Sequence, residues 1–463
     1  MMYGKKLCAL FVLFLFSLGG HGFAMAAEDS VIFDVGASLP VVGIEGGQKI
    51  IVRALLRPGR SQDRTRAPLA VALVLDKSGS MRADGKMGNA RRGAEEALKM
   101  LGFKDVAALV AYDDLARVSV SARRIDGEDG VFLRAISRLH PGGSTALYDG
   151  LLTGARELLP FAEEGYIPRI ILLSDGMANV GPSSAEALAR LGKKLAHQEM
   201  TITTIGLGLD YNEDLMTAVA AESGGNAYFA RHGRMLPEIF ARDMADALSV
   251  TARKMRLTLK CSEGVRPLRI LGRAGELRGN TMEVSLDNLY GEGEKYGLFE
   301  IELPEGEEGQ ILHTVSVGLE YEDAATGNRV AREIPLRILR TGNEAEVEKN
   351  RQMDIVSQAA LARNSEIRTE AIRLADEGRA REAAELLESR KDDLRTLAPA
   401  AGAAAPVLES EAGEFETLAE SLKSEGALSN ADRKKVMNDA YIQKSQQTPV
   451  ASGDVPDKEE TTN

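Results

Sequence analysis

Apolar positions along this 463-residue chain follow three successive patterns. Between residues 68 and 250, short unbroken apolar runs alternate with longer stretches of helical spacing. Unbroken runs such as Val71 to Leu75 and Ile170 to Leu173 predict strands buried on both faces. Strands are expected at 69–75, 106–112, 117–123, 169–173, 201–206 and 227–231. Helices are expected at 87–101, 131–139, 146–163, 184–197, 212–222 and 235–251. Alternating strand and helix implies a mostly parallel, doubly wound α/β sheet covered on both faces. The segment 117–123 is the exception. Only Asp113 to Ala116 separate it from the preceding strand, too few for a crossover, so it should be an antiparallel edge.

After residue 253 the pattern becomes short strands split by Gly-rich turns, at 256–260, 266–271, 281–286, 296–303, 313–321 and 329–339. This predicts a β-sandwich over 253–340. Two further strand-like runs, 31–35 and 49–56, lie in the segment 28–66. Two strands cannot stand alone, so they are expected to join that sandwich, with 68–250 inserted between its parts. Residues 344–444 switch to helix. They include a helix–turn–helix unit around 371–387, an Ala-rich linker at 399–406, and helices at 411–424 and 430–443. The polar tail 445–463 predicts disorder.

Residues 1–26 read as an export signal. Lys5 and Lys6 form the charged region, Leu7 to Leu18 the apolar core, and Ala24-Met25-Ala26 the cleavage site. The apolar run is shorter than the roughly 20 residues a bilayer requires, and no later stretch is longer. A periplasmic or secreted protein without a transmembrane span is expected. Removing the signal takes away two lysines and no acid, moving the formal charge from −12 to −14. An acidic chain without a basic block excludes nucleic acid as a partner. Of the two cysteines only Cys261 remains, so no intrachain disulfide supports the fold.

The candidate chemistry sits where apolar runs end. The run to Leu75 breaks into Asp76-Lys77-Ser78-Gly79-Ser80, and the run to Leu173 ends in Ser174-Asp175-Gly176. Between them lies the loop Gly142-Gly143-Ser144-Thr145-Ala146-Leu147. In open α/β sheets ligands gather at the carboxyl ends of strands. Carboxylate and hydroxyl oxygens are hard donors, suited to Mg²⁺, Mn²⁺ or Ca²⁺. D-x-S-x-S, then Thr, then Asp, in that order over roughly Pro68 to Val250, resembles the von Willebrand factor A domain. The segments Leu172 to Asn179 and Gly206 to Leu215 resemble its bacterial exported members, often labelled calcium-activated chloride channel homologues. The absence of a spanning stretch gives the word channel no physical support.

The resemblance implies a metal-ion-dependent adhesion site built from Asp76, Ser78, Ser80, Thr145 and Asp175. It implies hydroxyls that ligate directly and aspartates that bind directly or through water. It further implies a divalent cation, Mg²⁺ first and Mn²⁺ or Ca²⁺ as alternatives, with one position left for an Asp or Glu of a protein partner. Asp113, Asp114 and Asp149 read as solvated loop carboxylates, with Asp114 able to support a ligand. His140, His197, His232 and His313 are scattered, and no H-E-x-x-H, G-x-S-x-G or P-loop pattern occurs. The function expected is a non-enzymatic, exported adhesion-type module whose C-terminal helices provide a second contact or self-association. The alternatives are a metal-dependent hydrolase or subunit of a larger machine, and a structural envelope protein whose metal only stiffens the loops.

Overall fold

The computed structural model describes residues 30–59, 66–127 and 130–447. The export signal, residues 60–65 and residues 448–463 of the tail lie outside the described residues. The chain opens with β1 (Val31–Ala37), β2 (Val41–Val42) and β3 (Gln48–Pro58). It then enters an α/β unit. This unit runs β4 (Leu69–Asp76), α1 (Lys86–Lys99), β5 (Val106–Tyr112), β6 (Ala116–Arg124), α2 (Gly130–Ser137) and α3 (Leu147–Glu163). It continues with β7 (Ile167–Ser174), α4 (Ala185–Ala196), β8 (Thr201–Leu207), α5 (Glu213–Ser223), β9 (Ala227–Ala230) and α6 (Leu236–Leu248).

The six strands of this unit lie in the order β6-β5-β4-β7-β8-β9, parallel except for β6. β6 pairs antiparallel with β5 at the sheet edge, as its short connection requires. Every residue of β4 is buried. Val71, Leu73 and Leu75 face one apolar cluster with α1 and α6, while Ala70, Ala72 and Val74 face another with α3, α4 and α5. That two-sided burial is why the strand reads as a continuous apolar run rather than an alternation.

α6 leads directly into β10 (Val250–Cys261). Then follow β11 (Arg266–Ile270), β12 (Glu276–Arg278), β13 (Thr281–Leu286), β14 (Leu289–Tyr290), β15 (Lys295–Leu303), β16 (Ile311–Asp323) and β17 (Arg329–Arg340). One sheet has the order β1-β3-β15-β11, and the other β12-β13-β10-β16-β17-β2. Strands from both sides of the α/β unit therefore hydrogen-bond to each other, β3 with β15 and β2 with β17. The two sheets enclose one core that includes Val52, Leu56, Leu257, Leu259, Phe299 and Val317. Cys261 ends β10 inside this layer, and burial pushes its thiol up to about 11.

The helical region comprises α7 (Glu344–Lys349), α8 (Met353–Asp376), α9 (Ala380–Leu397), α10 (Ala405–Glu425) and α11 (Asn430–Ser445). α8 covers the outer face of the first sheet, packing Ile355, Ala359 and Ala362 on Ile51 and Leu298. Arg53 of β3 reaches Asp354 and Gln358 across that seam, each at 2.8 Å. The expected Ala-rich linker is not extended. Ala398–Ala400 and Gly402–Ala404 form short 3₁₀ turns, and α10 begins at Ala405 with Pro406 in its first turn, where a missing N–H costs nothing.

α11 returns to the α/β unit. Lys434 pairs with Glu213 and donates to the Tyr211 carbonyl at 2.6 Å, and the Tyr441 hydroxyl donates to Gly225 O at 2.5 Å. Gln447 accepts from Ala227 N at 3.1 Å, covering the first residue of the free edge of β9. A bare strand edge would otherwise leave its amides unpaired. Ser445 and Gln447, the first residues of the expected disordered tail, are thus buried.

Candidate functional site

The loops that leave the carboxyl ends of β4 and β7, the turn after β5 and the loop between α2 and α3 are joined by backbone hydrogen bonds. Lys77 N donates to Tyr112 O at 2.9 Å, Gly142 N to Lys77 O at 2.8 Å, and Gly79 N to Gly143 O at 3.0 Å. Asn179 N donates to Thr145 O at 3.2 Å, and the Asn179 side chain accepts from Thr145 N at 2.8 Å. Gly143 must be glycine. Its φ is +78°, and a Cβ there would stand 2.8 Å from a carboxylate oxygen of Asp114.

This stitching brings Asp76, Ser78, Ser80, Thr145 and Asp175 to one place. Asp76 and Asp175 are fully buried, and Ser78 and Thr145 nearly so. Asp76 Oδ1 accepts from Ser78 N at 2.8 Å and Oδ2 from the Ser174 hydroxyl at 2.8 Å. The Ser78 and Ser80 hydroxyl oxygens lie 2.9 Å apart, and the Ser80 hydroxyl donates to Asp175 Oδ1 at 2.6 Å. A Cβ on Gly176 would lie 3.5 Å from the hydroxyl oxygens of both Ser80 and Thr145, which flank it. Burial, assisted by the Asp175 charge, pushes the Asp76 carboxyl up to about 6 despite the hydrogen bonds it receives.

Lys86, the first residue of α1, completes the group. Its ammonium donates to Asp175 Oδ2 at 2.8 Å, and its side chain is nearly buried. The chain delivers it through two consecutive left-handed residues, Asp84 (φ +53°) and Gly85 (φ +64°). Aspartate and glycine are residue types that tolerate this conformation. Sequence reasoning missed Lys86, which reads as an ordinary solvated lysine opening a helix.

The neighbouring acids play other parts. Asp113 forms an ion pair with Lys77, which outweighs its partial burial and holds its carboxyl below the ordinary range. Asp114 accepts from Ser144 N at 2.9 Å and so braces the Thr145 loop. Neither is simply a solvated loop carboxylate. Asp149 lies in the first turn of α3.

The donor set fits a hard divalent cation. Two buried carboxylates lie close enough to interact, Asp175 paired with one ammonium and Asp76 with none, and three hydroxyls stand among them. No cluster of three or more His, Cys, Asp or Glu disposed to hold a metal occurs among the described residues. The candidate set contains only two such side chains and depends on hydroxyls for the rest.

Around this group the loops expose apolar side chains. Leu115 follows β5, Met177 follows β7 and Leu209 follows β8, and they are 56%, 55% and 42% exposed. No helix among the described residues is long and apolar enough to cross a membrane.

Comparison with known proteins places residues 70–242 on the model of the von Willebrand factor type A domain. An uncharacterized Synechocystis protein, sll0103, is 26% identical over 311 residues, which span 64% of this chain and 72% of that protein. Among solved structures, a von Willebrand factor type A protein from Catenulispora acidiphila superposes with a TM-score of 0.68 at 18% identity, covering 91% of this chain and 97% of its own. The ArnB paralog VWA2 from Sulfolobus acidocaldarius does so with a TM-score of 0.56 at 18% identity, covering 90% and 98%. At these identities the two structures speak to the fold.

Proposed function

This chain carries a von Willebrand factor type A domain, and from that premise we propose that it is an exported, non-enzymatic interaction module. Such domains commonly serve as metal-dependent protein-binding units. Here Asp76, Ser78, Ser80, Thr145 and Asp175 would hold one divalent cation, Mg²⁺ in the first instance. A protein partner would present an Asp or Glu to the remaining coordination position. The hard, anionic character of that ligand follows from the ion's preference for oxygen.

The observation that carries the reading is the combination on one face. An undercompensated pair of buried carboxylates opens among hydroxyls, inside loops that expose Leu115, Met177 and Leu209. Apolar side chains rimming a polar anchor are what a protein interface buries. The sandwich meets the domain at the start of β7, where Arg169 reaches Tyr290, and α11 runs along α5 and the start of β9, reaching the loop after β8 at Tyr211.

Calorimetric titration of the full chain with Mg²⁺, Mn²⁺ and Ca²⁺ tests the site. Wild type should bind at least one of them and Asp76→Ala none, and equal binding by both would remove the assignment. A pull-down from envelope extract with Mg²⁺ or with EDTA tests the role. Partner capture that is undiminished by EDTA would leave the ion without a part in adhesion.

A further inference from the structure

Lys86 is not among the residues that the metal reading requires, yet it makes the ion pair of the site. Its ammonium bonds a carboxylate oxygen of Asp175, a fully buried side chain. The backbone of Gly208, at φ +78°, lies beside the ammonium, and a Cβ there would stand 3.5 Å from Lys86 Nζ. A cation fixed on one ligand of a cation site has two consequences. It balances part of the carboxylate charge when no ion is present. It also repels and competes with any ion that arrives.

The structure supplies somewhere for that ammonium to go. Lys86 forms part of the wall of an adjoining cleft of about 540 Å³, between the loops after β8 and β9 and the turn before α1. Asp84 and Asp210 line the same cleft, and so do Arg231, Arg234 and His232, so it can receive the ammonium without drawing it strongly. A four-carbon stem with rotatable bonds can carry its charge from one set of oxygens to another. We infer that Lys86 is a resident counter-cation of the site, and that a divalent ion binds by displacing its ammonium from Asp175. The inference rests on the cation reading above. It goes further in making the ion's affinity deliberately weak on its own. Tight loading then needs an additional negative ligand, so ion and acidic partner bind together rather than in sequence.

The test is Mn²⁺ affinity by calorimetry, with melting temperature in EDTA, for full-length wild type, Lys86→Met, Lys86→Arg and Asp76→Ala. Lys86→Met keeps an unbranched stem without the charge, and it should bind Mn²⁺ at least about tenfold more tightly than wild type. In EDTA it should melt several degrees lower, because it leaves two buried carboxylates with no counter-charge, and saturating Mn²⁺ should restore the loss. Lys86→Arg retains a positive charge and should bind like wild type. Unchanged or weaker binding by Lys86→Met, with Asp76→Ala still abolishing binding, would overturn this proposal and leave the metal site standing. Tightening by Lys86→Arg equal to that of Lys86→Met would assign the effect to packing and overturn it likewise. A melting temperature in EDTA that is unchanged or higher in Lys86→Met would remove the counter-cation role. Absence of Mn²⁺ binding in wild type and Lys86→Met alike would sink both readings.

Discussion

Strand β7 carries a buried charge near each end, and the two ends behave differently. Near its start, Arg169 is almost fully buried. It donates from Nε and Nη2 to the two oxygens of Asp243 on α6, at 2.9 and 2.5 Å, and from Nη2 to Thr203 at 2.9 Å. Its Nη1 lies 3.3 Å from the hydroxyl of Tyr290, which belongs to the sandwich. Asp243 is further satisfied by Thr203 and Asn226. Burial opposes the Arg169 charge, but Asp243 and Tyr290 outweigh it and raise its proton affinity. Just past the other end, Asp175 is paired with the Lys86 ammonium, while neighbouring Asp76 has only hydrogen bonds. One end is a closed charge account that ties the α/β unit to the sandwich. The other is left open, and an unbalanced buried charge next to solvent is the physical signature of a place where something binds.

The comparison breaks most decisively at the closed end. Asp243→Ala should leave Arg169 buried and unpaired, costing roughly 3–5 kcal/mol in chemical denaturation of the full chain. Ion binding at the far end should survive in the fraction that folds. A loss of less than about 1 kcal/mol would mean that this network does not hold the domains together.

At the open end the sign should reverse. Asp76→Ala should abolish ion binding, exceeding the roughly 10–100-fold loss typical of a supporting contact. Stability in EDTA should be unchanged or slightly higher, because like-charge repulsion is relieved. Denaturation in EDTA beside a metal titration reads both halves. A large loss of metal-free stability would place Asp76 with the structural group.

The raised Asp76 value, about 6, sharpens the contrast through pH. An acid whose folded value lies above its unfolded one favours the fold at low pH. Its contribution is fully present below about 4 and is lost as pH rises through about 6. Ion binding needs the ionised form, so it runs the other way. Mn²⁺ affinity should fall about tenfold from pH 7 to pH 5, where roughly one Asp76 in ten is ionised. A flat profile over that range would contradict the buried, unpaired carboxylate. Thr145→Ala should have the smallest effect. It removes one neutral donor, lowering ion affinity severalfold while changing stability by about 1 kcal/mol or less in thermal denaturation.

Much of this was legible from local pattern. The parallel strands showed as unbroken apolar runs because both faces of the sheet are covered, as at β4. The antiparallel edge β6 followed from a connection too short to cross over. Asp76 and Asp175 stood out because each ends such a run, and the sheet delivers run ends to a common rim. The Ala-rich segment at 399–406 misled, because alanine and proline suit a linker and the start of a helix equally well, and packing decided for α10.

The sequence by itself determined the periods of burial and the residue types at strand ends, including the carboxylates of the candidate site, because these depend on neighbours a few positions apart. The tertiary structure alone decided which charges meet. Lys86 reaches Asp175 across 89 positions, Arg169 reaches Asp243 across 74, and Lys434 of α11 reaches Glu213 across 221. Such pairings depend on how sheets and helices register against one another. No periodicity within a segment records that register, and it decides whether a buried charge is balanced or left open for a ligand.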